Sequence, residues 1–249
     1  MYQRPDAPQT IGQVLTQGFL LFRASINEVF GLAFIGAAVG QIPGMLGLVI
    51  TPGQPLPEIT GEIGFALAGA IIVGSVLYGT IVARINAVAT RTELSISQAL
   101  QIGLRKGPSV FIAGVIFFSA TILGFSALVF PGVIIAVTFM FCFYAIIVKD
   151  MGPLQGLGYS QKLVWQDWWR SFGLVASMFA GVLLIASLIS IIANIVIAAS
   201  GSTGDPDTLP WYVDLLVVPL VSGVVTPLIY AFSLAIFYDL ELRSSGTAE

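Results

Sequence analysis

Five acids, Glu58, Glu62, Asp205, Asp207 and Asp214, fall in segments that hold no basic residue. Carboxylates grouped in this way could bind a divalent cation through hard oxygen ligands. Solvated loop acids that satisfy topology are the commoner reading of such a set. A serine nucleophile needs a base beside it, and the chain has no histidine to serve as one. The single cysteine, Cys142, lies in a long charge-free run, which makes it a small packing residue and rules out an intramolecular disulfide. No Gly-x-x-x-x-Gly-Lys loop cradles a phosphate, and no Cys/His cluster has metal-ligand spacing. No catalytic centre, metal site or cofactor is expected, and an enzyme is not.

Two other sets of residues could recognise a ligand. Ser187, Ser190 and Asn194, with Ser222 and Thr226, are polar side chains inside apolar runs. They read as interhelical hydrogen bonds or as the lining of a passage, with Ser187, Asn194 and Thr226 at its heart. Arg23, Arg105, Lys162 and Arg170 flank the runs and could surround an anionic lipid headgroup.

The elements that position these groups must be suited to lipid. Of 249 residues, 57% are hydrophobic and 9% charged, and the mean hydropathy is +0.96. A soluble domain carries roughly 25% charged residues, so this chain could not cover a surface in water. Charge-free runs extend over 29–57, 63–83, 107–148, 171–204 and 215–238. A bilayer core of about 30 Å takes about 20 helical residues. The run at 107–148 is roughly double that length, with Pro131-Gly132 inside it. Proline removes a backbone donor and disfavours helix in the residue before it, so the run reads as a hairpin turning there. The expected fold is all-α: one membrane domain over 1–249, with six transmembrane helices.

Drawn this way, all ten Lys and Arg residues fall on one side of the membrane. The positive-inside rule then puts both termini in the cytoplasm. The first ten residues are polar and hold Pro5 and Pro8, unlike a cleavable signal, so the first span is expected to act as an uncleaved insertion signal. No Asp, Glu, Lys or Arg lies at mid-span, which argues against proton or ion coupling.

Three amphipathic segments punctuate the spans. They start at Thr10, at Ser95 (ending at Gly107-Pro108) and at Pro153, the last with a stripe through Trp165, Trp168, Trp169 and Phe172. Each reads as a helix lying flat at the cytoplasmic interface. Gln13, Gln98 and Gln155 recur near their starts, each with a small residue, Gly18, Gly103 or Ser160, further on. That likeness suggests a threefold internal repeat over 10–90, 95–149 and 153–243. Small-residue ladders, Gly36/Gly40/Gly44 and Ala66/Ala70/Gly74, are expected where helices pack closely. Pro43 and Pro227 are expected to bend their spans.

Pro131-Gly132, the stretch Lys149-Asp150-Met151-Gly152-Pro153, Ser160, Trp168-Trp169-Arg170 and the ending Phe237-Tyr238-Asp239-Leu240-Glu241-Leu242-Arg243 carry a further likeness. They resemble the membrane domain attached to some bacterial glycerophosphodiester phosphodiesterases, and the small YciC-type inner-membrane proteins. The resemblance implies a six-span protein of the prokaryotic plasma (inner) membrane with no settled activity. Phosphodiester chemistry belongs to the attached soluble domain in that family, and a chain without histidine does not carry it.

The function expected is therefore non-enzymatic: an envelope-associated accessory or lipid-interacting membrane protein. The alternatives are a permease or channel for a small neutral or amphipathic solute, and a structural subunit of a membrane complex. Membrane lipids are the expected partners, with a homo-oligomer or a membrane-protein partner as alternatives and no nucleic acid.

Overall fold

The computed structural model describes residues 2, 4–48, 57–58, 60–199 and 211–246. Among these the chain is helical: α1 (Ile11–Met45), α2 (Gly61–Thr90), α3 (Ile96–Ala127), α4 (Val129–Phe139), α5 (Cys142–Val148), α6 (Pro153–Val164), α7 (Trp168–Ala199) and α8 (Trp211–Gly246). Six helical segments are long and apolar enough to cross a membrane, with α4 and α5 together making the fourth. Large apolar side chains such as Phe65, Phe118, Leu123, Leu184 and Ile192 are exposed around the outside, as lipid would require.

Local chemistry explains the helix starts. Thr10 and Ser95 each accept a hydrogen bond from the backbone N–H three residues on, while Gln13 and Gln98 bond back to the cap residue. These are capping boxes, which satisfy donors that a helix end leaves bare. Gln155 does the same for the Gly152 N–H at 3.2 Å, with Pro153 at the first helical position. The recurring glutamine therefore has a local cause. The small residue that follows it has one too: Gly18 abuts Phe232, Gly103 abuts α2, and the Ser160 hydroxyl donates to the Thr138 carbonyl at 2.6 Å.

The expected interfacial helices differ in outcome. Those starting at Thr10 and Ser95 are the opening turns of the continuous helices α1 and α3, not separate elements. Pro108 does not stop α3, because ending a helix in an apolar setting would strand more backbone groups than the one donor proline lacks. Only α6 stands apart, and it ends at Val164 rather than running on to Phe172. Asp167 then caps the next helix, its Oδ1 accepting the Arg170 N–H at 3.1 Å.

The hairpin also turns earlier than expected. The break falls at Leu128, which is fully extended, while Pro131 is accommodated in the first turn of α4. Gly132 has another use: a Cβ on Gly124 would lie 2.9 Å from the Gly132 Cα, so these two glycines let α3 and α4 touch. Phe130 and Ile134 of α4 line a cavity of about 270 Å³ with Trp165, Trp168 and Trp169. Pro131-Gly132 thus lies close to the α6–α7 junction, and a break at Met140-Phe141 separates α4 from α5.

Close helix packing does not follow the expected ladders. Among the described residues nothing lies within 4 Å of a Cβ on Gly40, Gly44 or Gly74, and a Cβ on Gly36 would make only an ordinary contact with Leu77. Tight approaches lie elsewhere, among them Gly79 to Gly103, Gly18 to Phe232 and Gly223 to Phe30. Pro43 lies near the end of α1, and Pro219 and Pro227 lie inside α8. Cys142 is fully buried in the core.

Candidate functional site

The two ends of the described chain meet at one charged end of the bundle. Asp239, only 3% exposed, accepts from Arg170 Nη2 at 2.8 Å, from Arg243 Nε at 3.2 Å and from the Gln9 N–H at 2.8 Å. Both arginines also donate to the Gln9 carbonyl, at 2.5 and 2.8 Å. One buried carboxylate thus ties α7, α8 and the N-terminal strap ahead of α1. Two cations and a backbone donor supply the pairing that a buried charge requires.

A second node lies beside it. Glu241 pairs with Lys149 at 2.5 Å and Arg4 at 3.8 Å, and accepts from the Tyr159 hydroxyl at 2.7 Å. Burial opposes the charge on Lys149, but its bonds to Glu241 and Tyr159 prevail and raise its pKa. Arg4 stacks over the Tyr238 ring at 4.1 Å, and the Tyr238 hydroxyl donates to Asn86. Tyr2 is buried, which pushes its hydroxyl up to about 12 against the opposing charge of Arg4, and its carbonyl accepts from Arg91. Of the charged residues that carry the resemblance, Lys149, Arg170, Asp239, Glu241 and Arg243 belong to these two nodes.

Asp150 forms a third. It has a left-handed backbone (φ 58°), and it pairs with Arg105 at 2.7 Å and Lys106 at 2.6 Å. Lys106, by hydrogen bond and by charge, with Arg105 behind it, holds the Asp150 carboxyl below the usual range against its slight desolvation. A lowered folded-state pKa contributes stability above the unfolded value, and that stability is lost as pH falls through the lowered one. The protein is therefore expected to lose thermal stability below about pH 4, with Asp150→Asn flattening that acid limb. Unfolding midpoints across an acid titration check it; an unchanged limb in the variant would remove Asp150 from the account.

The four basic residues expected around a headgroup lie on four different helices. Arg105 and Arg170 are already paired, with Asp150 and Asp239. Arg23 on α1 and Lys162 on α6 are exposed. None of the four lines a cavity described here.

The polar set inside the apolar runs is divided as well. Thr226, half-buried on α8, lines a cavity of about 270 Å³ with Ser222, Gly36, Leu77, Tyr78 and Tyr230. Ser187 is exposed on α7. The side chains of Ser190 and Asn194, like Asp205, Asp207 and the side chain of Asp214, lie outside the described residues.

Sequence reasoning missed the larger feature next to this cavity. Between α2 and α3 runs an apolar groove of about 670 Å³, with Gly74, Tyr78, Gly114, Phe118, Phe143 and Tyr230 among its walls. Gly114 and Ser119 hollow α3, and Gly74 and Ser75 hollow α2. Small residues on facing helices were the available signal: the α2 ladder Ala66/Ala70/Gly74 supplies one side through Gly74, and Gly114 and Ser119 of α3, not singled out in the sequence, the other.

A family model described as Domain of unknown function (DUF7847) matches residues 86–240. The chain belongs to this family. No curated protein and no solved structure matches it. The matched stretch opens at Asn86 and closes just beyond its hydrogen-bond partner Tyr238. It includes Arg105, Asp150, Arg170 and Asp239, so two of the three ionic nodes lie largely within the family domain. The strap and α1 lie outside it.

Proposed function

We propose that this is a non-enzymatic, lipid-interacting protein of the prokaryotic plasma membrane, multi-pass, with both termini in the cytoplasm. The observation that carries the reading is the α2–α3 groove. Its volume of about 670 Å³ falls in the range of small-molecule sites, and its outer wall of Phe111, Phe118 and Ile122 is exposed to whatever surrounds the bundle. In a bilayer that surrounding is acyl chain. The orientation rests on the meeting of Arg4, Lys149, Arg170 and Arg243 with both chain ends, under the positive-inside rule. The likeness to YciC-type proteins agrees with this location.

Solute passage draws less support, because Ser187, one of its expected side chains, is exposed on α7 and lines neither the groove nor the cavity that Thr226 lines. Native mass spectrometry of the protein released from lipid nanodiscs tests the proposal. Lipid is expected to stay bound at one fixed stoichiometry and to leave when Gly114→Leu fills the groove; Gly114 has room, its nearest neighbour being Phe143 at 3.9 Å. A bare monomer from the unaltered protein would overturn the reading, and solute flux in proteoliposomes would become the next measurement.

A further inference from the structure

The groove and the smaller cavity beside it share three residues: Gly74, Tyr78 and Tyr230. The two tyrosine rings meet edge to face, 4.8 Å between centroids and 73° between planes. Gly74 has no side chain, and nothing lies within 4 Å of where its Cβ would be. The wall between the two spaces is therefore a pair of rings beside a gap.

The spaces differ in chemistry. The groove is walled by apolar groups, whereas Ser222 and Thr226 bring two hydroxyls to the inner cavity. Helical hydroxyls normally bond back to the carbonyl four residues earlier, as Ser75 does at 2.8 Å and Ser177 at 2.7 Å. Ser222 and Thr226 make no such bond, nor any other among the described residues. A half-buried hydroxyl that faces an apolar cavity gains from a polar partner there. No charged residue lines either space. An ionised headgroup would find nothing there to pair with it, and the charged nodes are occupied with one another.

We infer that the two spaces form one site for an uncharged amphiphile, with its hydroxyl or carbonyl head on Ser222, Thr226 and the two tyrosines and its hydrocarbon tail in the α2–α3 groove. The inference rests on the lipid-interacting reading and narrows it to neutral lipids. Along α3 the groove runs from Val110 to Ile122, about 18 Å of helix. That is close to one leaflet's share of the bilayer core, about 15 Å, so a single tail spans it.

Two probes with the same photoreactive acyl tail test it in proteoliposomes: a diacylglycerol, and the corresponding phosphatidic acid. The diacylglycerol is expected to label α2 and α3 about tenfold more than the acid does. Ser222→Ala with Thr226→Val should cut diacylglycerol labelling about tenfold, two ordinary hydrogen bonds' worth, at an unchanged unfolding midpoint. Gly74→Leu, which plugs the gap, should do the same by blocking the head. Equal labelling by both probes, unaffected by the double variant, would overturn the neutral-headgroup site and leave a lipid groove standing. Absence of label from α2 and α3 with either probe would overturn both.

Discussion

Replacing Asp239 with alanine is expected to lower the unfolding midpoint of the detergent-solubilised protein by about 10 °C. The carboxylate is 3% exposed and is shared by Arg170, Arg243 and the Gln9 N–H. Removing one partner of a buried ion pair costs about 3–5 kcal/mol, because the remaining charge is left without compensation. Arg170, with a side chain 15% exposed, would be that charge, and its Nε already lacks a partner. For a chain of this size each kcal/mol moves the midpoint by about 2–4 °C. The loss should also loosen the strap, making the peptide bonds around Gln9 more open to protease. The double change Arg170→Met with Asp239→Leu should recover most of the midpoint, since apolar groups of similar volume replace a buried pair at little cost. A shift below about 2 °C for Asp239→Ala would mean that the strap is not held by this carboxylate.

The second large effect is expected at Gly103. A methyl group there would run into Thr80 Oγ1 and the Val76 carbonyl of α2, with the Thr80 N–H nitrogen 3.1 Å away. On the other helix, a Cβ on Gly79 would sit 3.1 Å from the Gly103 Cα. Backbone lies on both sides, so neither helix can yield by turning a side chain. Overpacking of this kind costs about 1–3 kcal/mol or more, and Gly103→Ala should lower the midpoint by at least about 5 °C. Thr80→Ala in the same chain should recover part of that loss, because the Val76 carbonyl still obstructs. Gly158→Ala on α6 is the control. It has nothing within 4 Å, so helix propensity alone should leave it neutral or up to about 1 kcal/mol more stable. Equal midpoints for the Gly103 and Gly158 variants would show that α2 and α3 do not cross at Gly103.

The elements that could be read from the sequence were those set by composition. Long charge-free runs announce helices for an apolar medium whatever their neighbours do, and six such segments are present. The charged end was legible for the same reason, since Arg170, Lys149 and Arg243 avoid the runs. Partners were harder to read. Asp239 and Arg243 are one helical turn apart and were foreseeable as a pair, but Gln9 lies 230 residues from Asp239, and no local rule links them. Pro108 and Pro131 misled because proline breaks helices in water, whereas an apolar setting favours tolerating it within α3 and in the first turn of α4. The glycine ladder on α1 failed differently. Spacing shows that a face is flat without showing that anything lies against it, and Gly40 and Gly44 have no neighbour among the described residues. The α2–α3 groove was hidden because a hollow is made by what two helices jointly lack.

The strap around Gln9 also bears on the order in which the chain can be assembled. A ribosome releases the N-terminus first, at about 5–20 residues per second. Asp239 and Arg243 follow Gln9 by 230 and 234 residues, so the strap waits about ten seconds or longer for its anchor. During that interval the face of α1 that later receives α8, with Gly18 for Phe232 and Phe30 for Gly223, has no partner from its own chain. Lipid or the insertion machinery is left to cover it until α8 arrives. Protection of the Gln9 region from protease should then report that both ends of a molecule have met.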